Sequence, residues 1–540
     1  MKSQAKQFKE HSNFQRRLFC LFGTVTIFIG CYLRLGGLFS HVTYIDEILL
    51  LSEGKLIPND DEIAQISDRS SLRYVLNTAI APTNSYAPLT LFVARVLQGP
   101  KMFSMKALKI LRFVSAIFSC LSLLLFAHLT FLYSGRRFTS AWLWIVTLFT
   151  CQMAQWINAK QGHPYSAGVF SLLLVLELFE VAQMTQSFFS IALFFLGALV
   201  ALMIQYQVSL WVVAVVMIGF ISILVEKKPS ESFLKISPLQ IAFITLGLFA
   251  LAEIACLSLF KTDLMIPWWV KDFMNPTNFS LIAGWKSLFL NVLGVFKLMH
   301  LTHLGGENLL LSIAGLLLVS FGLVIVLRTL QISQSTDFWG PKCLLVLLLI
   351  WLGAYLVGRT PISPTRHALI YMVPLLIFEL LGLNWIIDKI PYKKVWNVLI
   401  ATASLTVLST TLVNFPQYLI ESKETFSLEK LEIWMKDFKT RNCATWAYDL
   451  SKVKLMTQSS KDKIEHFWAW PGHLQMLPKK KMLFIETSTH AGAMNETIMA
   501  SSPQFHFKKL VDNQNHFDFE PMEKVKYGSN VFRVWMLTPK

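Results

Sequence analysis

Apolar residues arrive in long runs through residue 413 and then stop. Runs fall at 18–37, 106–131, 138–158, 164–182, 188–204, 208–225, 239–260, 309–326, 343–357, 368–387 and 395–413. Stretches of about 18 apolar residues reach across a hydrocarbon core, so the pattern predicts about eleven transmembrane helices. The stretch 187–225 divides in two at Gln205-Tyr206-Gln207. A long loop, 39–105, follows the first run, acidic in its first half; a second covers 261–308. Within the first loop, 45–51 and 89–97 are short apolar pieces with charges on one side, expected as interfacial helices. Beyond Pro416 the pattern changes. Residues 428–440 read as an amphipathic helix, and 444–448, 482–485 and 531–536 as short strands. The expected fold class is an all-α polytopic membrane protein, residues 1–415, with a small C-terminal α/β extracytoplasmic domain, residues 416–540. No internal repeat is visible.

Composition sharpens this. Of 540 residues, 54% are hydrophobic and 15% charged; a soluble chain carries about 25% charged residues. The net charge of +16 does not call for nucleic acid, because Lys and Arg collect in cytoplasmic loops. Arg136, Arg137, Lys227, Lys228, Lys235, Arg328, Lys342, Lys389, Lys393 and Lys394 all lie in connections expected inside. With the N-terminus inside and the first run retained as a helix, the tail falls outside. The outer link from Arg359 to Arg366 departs from the rule. Seven scattered cysteines form no CxxC or Cys/His ligand spacing, so neither a disulfide framework nor structural zinc is expected.

Charged groups at a membrane boundary are costly to place and mark candidate chemistry. Arg34 sits at the outer end of the first run, and Asp46-Glu47 follow in the outer loop. One carboxylate there suits proton abstraction from a hydroxyl; equally, two acids on an interfacial helix are simply solvated. Tyr86, in Ser85-Tyr86-Ala87-Pro88-Leu89, closes that loop. Lys160 and His163 lie in the outer turn before Pro164-Tyr165. His300 and His303 share a face if their segment is helical, but no third ligand accompanies them, and no metal site is assigned. Arg366 and His367 follow two prolines at the outer start of a helix, where the dipole and a guanidinium both favour phosphate. Glu253 lies inside an apolar run and is expected to pair within the bundle.

The ordered set Arg34, Asp46-Glu47, Pro88-Leu89, Pro164-Tyr165 and Ser363-Pro364-Thr365-Arg366 followed by Pro374 resembles the C-type glycosyltransferase superfamily (GT-C). Within it the chain looks like the dolichyl-phosphate-mannose–protein mannosyltransferase-like group, which includes bacterial lipid A aminoarabinose transferases. The resemblance spans roughly 18–413. It departs from the family pattern at His163, which stands for an Arg, at His367, which stands for a Tyr, and in one missing proline before Leu89. These departures bear on the sugar and the acceptor.

The resemblance implies a polyprenyl-phosphate sugar donor and a lipid, glycan or protein acceptor, joined at a bilayer face with inversion. Asp46 would be the base, with Glu47 orienting substrate or contacting a divalent cation. Arg366, with Lys160, His163 and His303, would hold the donor phosphate. Arg34, Tyr86, Tyr165 and His367 would line the substrate site. No other cofactor and no nucleic acid are implied. The expected location is a bacterial inner membrane, with the site and C-terminus periplasmic. The alternatives are a transporter or flippase for lipid-linked sugars, and an O-antigen-ligase-like enzyme.

Overall fold

The computed structural model describes residues 2–39, 88–98, 105–162, 164–185, 187–205, 207–226, 243–251, 281–300, 309–331, 339–356 and 368–421, and strands at 444–447, 482–489, 517–527 and 530–539. The helices are α1 (Lys2–Leu35), α2 (Pro88–Gln98), α3 (Met105–Tyr133), α4 (Ser140–Cys151), α5 (Met153–Ala159), α6 (Tyr165–Thr185) and α7 (Phe188–Ile204). They continue as α8 (Gln207–Glu226), α9 (Leu281–Met299), α10 (Leu309–Gln331), α11 (Gly340–Leu356), α12 (Leu369–Lys389) and α13 (Lys393–Glu421).

Among the described residues, six helices are long and apolar enough to cross a membrane, judged by length and composition. They fit a multi-pass membrane protein. The expected eleven full spans are therefore not reproduced. Helices at Ser140–Cys151, Phe188–Ile204, Val208–Ile218, Leu288–Met299 and Gly340–Gly353 are apolar but shorter. The expected helix 138–158 is broken at Gln152, whose backbone is extended. Of the expected span 239–260, only 243–251 are described. Helix α9 occupies part of the expected loop 261–308. The division of 187–225 falls where Gln205-Tyr206-Gln207 predicts it.

The chain forms two compact units: residues 1–36, 71–93 and 111–414 in one, and 37–70, 94–110 and 415–540 in the other. The first is helical. Thr139 caps α4 by accepting from the Trp142 amide, and Ser187 caps α7 by accepting from Ser190, each satisfying an amide that the helix itself leaves open. Every residue of α4 is buried. By contrast, α13 exposes Val395, Val398, Leu399 and Val413, an apolar face suited to lipid. Helices α10 and α12 approach closely because Gly322 lies against the Phe378 carbonyl and Gly382 against that of Leu318. A Cβ at either position would collide with backbone, the small-residue logic of helix pairs in membranes.

The second unit contains a four-stranded sheet of β1 (Ala444–Ala447), β2 (Met482–Thr489), β3 (Phe517–Tyr527) and β4 (Asn530–Pro539), in the order β1-β2-β4-β3. β1 and β2 are parallel, and the other pairs are antiparallel. A register shift between Pro521 and Glu523 interrupts the β3–β4 ladder. β3 was not expected from the sequence, and the expected helix 428–440 lies outside the described residues.

Candidate functional site

The site grows from the break at Gln152. A helix end leaves its last four carbonyls open, and inside a bilayer each must find a donor. Here each does. The Leu148 carbonyl accepts from the Gln152 amide at 2.9 Å. Phe149 accepts from Arg34 Nη2 at 3.1 Å and Thr150 from Arg34 Nη1 at 3.4 Å. Cys151 accepts from the Trp156 indole at 3.2 Å. Helix α5 restarts as the Gln155 and Trp156 amides donate to the Gln152 carbonyl.

Arg34 is fully buried. Its remaining donors reach Ser119 Oγ at 3.0 Å and the Gly30 carbonyl at 3.0 Å, and its guanidinium lies 5.7 Å from the Phe149 ring centroid. A cation at a helix C-terminus is favoured by the dipole, so Arg34 both satisfies the broken end and neutralises its partial charge. Among the described residues no carboxylate pairs with it.

Lys160 follows α5 directly and is also fully buried. Its Nζ lies 5.0 Å from the Trp156 ring centroid. Burial, and then the Arg34 charge, push its pKa down to about 7. Tyr165 opens α6 and is buried. The structure thus brings Arg34 and Lys160 into electrostatic reach of each other. Asp46, Glu47, Tyr86, His163, His303, Arg366 and His367 lie outside the described residues, as does Glu253. Among the described residues, no group of three or more metal-ligating side chains stands together.

Two polar groups were not foreseen. His300 Nδ1 donates to the Phe296 carbonyl at 2.9 Å, and Nε2 meets Glu379 Oε2 at 3.2 Å. The Trp144 indole donates to Glu379 Oε1 at 3.3 Å. Because a carbonyl only accepts, Nδ1 carries a proton; the His–Glu bond then needs one more, on Nε2 or on the carboxyl. Gly315 gives the ring its room, since a Cβ there would strike His300. A carboxylate within the apolar run 369–389 is a readable signal, and His300 is one too; their pairing is not. The second group is Gln152, Gln155 and Asn158, whose three-residue spacing was readable as one polar face of a helix.

No known protein-family profile matches the sequence, and no curated protein matches it. Among solved structures, an oligosaccharyltransferase from Archaeoglobus fulgidus, solved in complex with zinc and sulfate, is 12% identical with a TM-score of 0.45. The match covers 81% of this chain and spans only 61% of that one. At that level the likeness assigns neither family nor function.

Proposed function

We propose that this protein is a membrane glycosyltransferase of the GT-C type, moving a sugar from a polyprenyl-phosphate donor to a lipid, glycan or protein acceptor. The reading places the reaction at the outer face of a bacterial inner membrane. The observation that carries it is the order of the charged motifs on one expected membrane face: Arg34, Asp46-Glu47, Lys160, then Arg366-His367. The buried cations Arg34 and Lys160 support it, because a departing phosphate needs positive charge and no proton.

In this mechanism Asp46 takes the proton from the acceptor hydroxyl. The acceptor oxygen bonds to the anomeric carbon as that carbon's bond to the phosphate oxygen breaks. The electron pair leaves with the phosphate, and the anomeric centre inverts. Arg366 holds the phosphate through paired donors, with Lys160, His163 and His303 adding charge. Glu47 orients the acceptor or holds a divalent cation.

The test compares lipids and surface glycans by mass spectrometry in cells with and without the gene. Loss should leave an acceptor lacking one sugar and a donor that accumulates. Asp46→Asn should lower transfer by about 10²-fold or more while the protein still inserts. Identical lipids and glycans in the two strains would remove the reading.

A further inference from the structure

Helices α4 and α5 carry buried polar atoms that the protein leaves open. Gln152, Gln155 and Asn158 are 0%, 2% and 3% exposed. Each amide uses one end at most. Gln152 Nε2 donates to Met372 Sδ at 2.8 Å, and Asn158 Nδ2 donates to the Ala154 carbonyl at 2.7 Å. Gln152 Oε1, Gln155 Nε2 and Asn158 Oδ1 have no hydrogen-bond partner among the described residues. On α12, which packs against α4 and α11, the Tyr371 hydroxyl is open as well, and so is the Trp351 indole of α11. Those two rings stack face to face at 3.7 Å, which fixes both polar tips. Native interiors leave few such groups, because each lost hydrogen bond is unfavourable. With the Thr147 and Thr150 hydroxyls of α4, which are open too and can both donate and accept, seven such groups on neighbouring elements mark a place where something else bonds.

The chemistry of the open groups selects the occupant. Gln152 Oε1 and Asn158 Oδ1 only accept; Gln155 Nε2 and Trp351 Nε1 only donate; the Tyr371 hydroxyl does both. A phosphate would be served by donors alone and a metal cation by acceptors alone. A ligand whose groups each donate and accept, with no net charge, fits the mixture. We propose that Gln152, Gln155, Asn158, Tyr371 and Trp351 bind the hydroxyl-bearing sugar of the lipid-linked donor. This rests on the glycosyltransferase reading and adds to it the residues that recognise the headgroup.

The experiment uses the full-length protein in nanodiscs and two kinds of probe: bare polyprenyl phosphate, and polyprenyl phosphates carrying one hexose or one pentose. The wild type should prefer at least one sugar-bearing lipid over the bare lipid by about tenfold or more, the scale of one or two hydrogen bonds. Gln155→Met and Asn158→Leu should each cut that preference by about fivefold, with bare-lipid affinity unchanged. Gln155→Met should not lower the unfolding temperature of the ligand-free protein, because it removes a group that has no partner there. Tyr371→Phe, which deletes one hydroxyl and keeps the stack, is the conservative variant and should reduce the preference in the same direction. If all three variants keep the wild-type preference, or the wild type shows none, these groups hold water only and the sugar site falls while the donor reading stands. If the wild type binds neither kind of lipid, both fall together.

Discussion

At His300 the helical unit buries a base and supplies its counter-charge; at Arg34 it buries a cation and, among the described residues, supplies only dipoles. Glu379 and Trp144 close the first site, so the His–Glu pair is neutral overall in either arrangement of its protons. Five carbonyl, hydroxyl and ring contacts close the second, and no carboxylate among the described residues offsets the guanidinium charge. Burying a charge is unfavourable unless it is paired, and carbonyl dipoles offset that only in part. A second cation, Lys160, is brought into its field. The first arrangement locks helices together and is electrically silent beyond its own volume. The second keeps a standing positive potential in a low-dielectric setting, where it acts far more strongly than in water. The anionic donor proposed above would draw on the second arrangement and not on the first.

The largest effect should come from breaking the neutral pair. Glu379→Ala leaves His300 without its partner and should destabilise the folded protein by about 3–5 kcal/mol. Thermal unfolding in detergent measures it. Replacing both, with His300→Leu and Glu379→Leu, should recover most of that loss, since an apolar pair of similar volume is close to neutral. If the double variant is as unstable as the single one, the pair is more than a lock, and the contrast with Arg34 loses one side.

Arg34→Lys should show a smaller loss. The charge stays, but an ammonium lacks the planar fork that reaches Phe149, Thr150, Ser119 and Gly30 together. The loss should be about 1.5–3 kcal/mol, the scale of a charged hydrogen bond, read again from thermal unfolding. Hydrogen exchange should rise at the amides flanking Gln152 and not in α10. Unchanged stability would mean that the broken end of α4 does not depend on the guanidinium.

Some of this was legible in the chain. Gln205-Tyr206-Gln207 places three polar or amphipathic residues together in an apolar run, and the helix divides there. Gln152, with Gln155 and Asn158, lies in an otherwise apolar run, and nothing in that spacing marks Gln152 as the point of the break. The break becomes tolerable only through donors from Arg34 and Trp156, and Arg34 lies 116 residues from Thr150 in sequence. No local pattern carries that. Helix α9 was missed because Lys286, Asn291 and Lys297 interrupt its apolar run. Arg34 itself was visible as a cation near a helix end, but not its inward aim. The Glu379–His300 pair spans 79 residues, so either half could be suspected and the pairing could not. The motif residues Asp46, Glu47 and Arg366 remain expectations from order and spacing.

The smallest effect should belong to Lys160, and its sign can be fixed in advance. In the folded protein its pKa is about 7, lowered first by burial and then by Arg34; in the unfolded chain a lysine titrates near about 10.4. Between those values the unfolded state holds a proton that the folded state has lost. Stability from this group therefore rises as pH increases from about 7 towards 10. Below 7 the folded protein carries the full penalty of a buried ammonium. Lys160→Met should remove that rise and stabilise the protein most at low pH. Donor binding should run the other way. A sugar phosphodiester keeps its single negative charge across this range, so it binds best to the ammonium form and weakens as pH climbs through 7. About tenfold in affinity is expected between the two limbs, close to 1.4 kcal/mol. Lys160→Arg keeps its charge throughout and should flatten the binding profile at the tight end, whereas Lys160→Met should flatten it at the weak end. Opposite pH trends in unfolding and in donor affinity, both abolished by Lys160→Met, would tie this cation to the phosphate. A wild-type binding profile already flat from pH 6 to 9 would leave Lys160 as a buried neighbour of Arg34, and the standing charge at this end of the unit would be Arg34's alone.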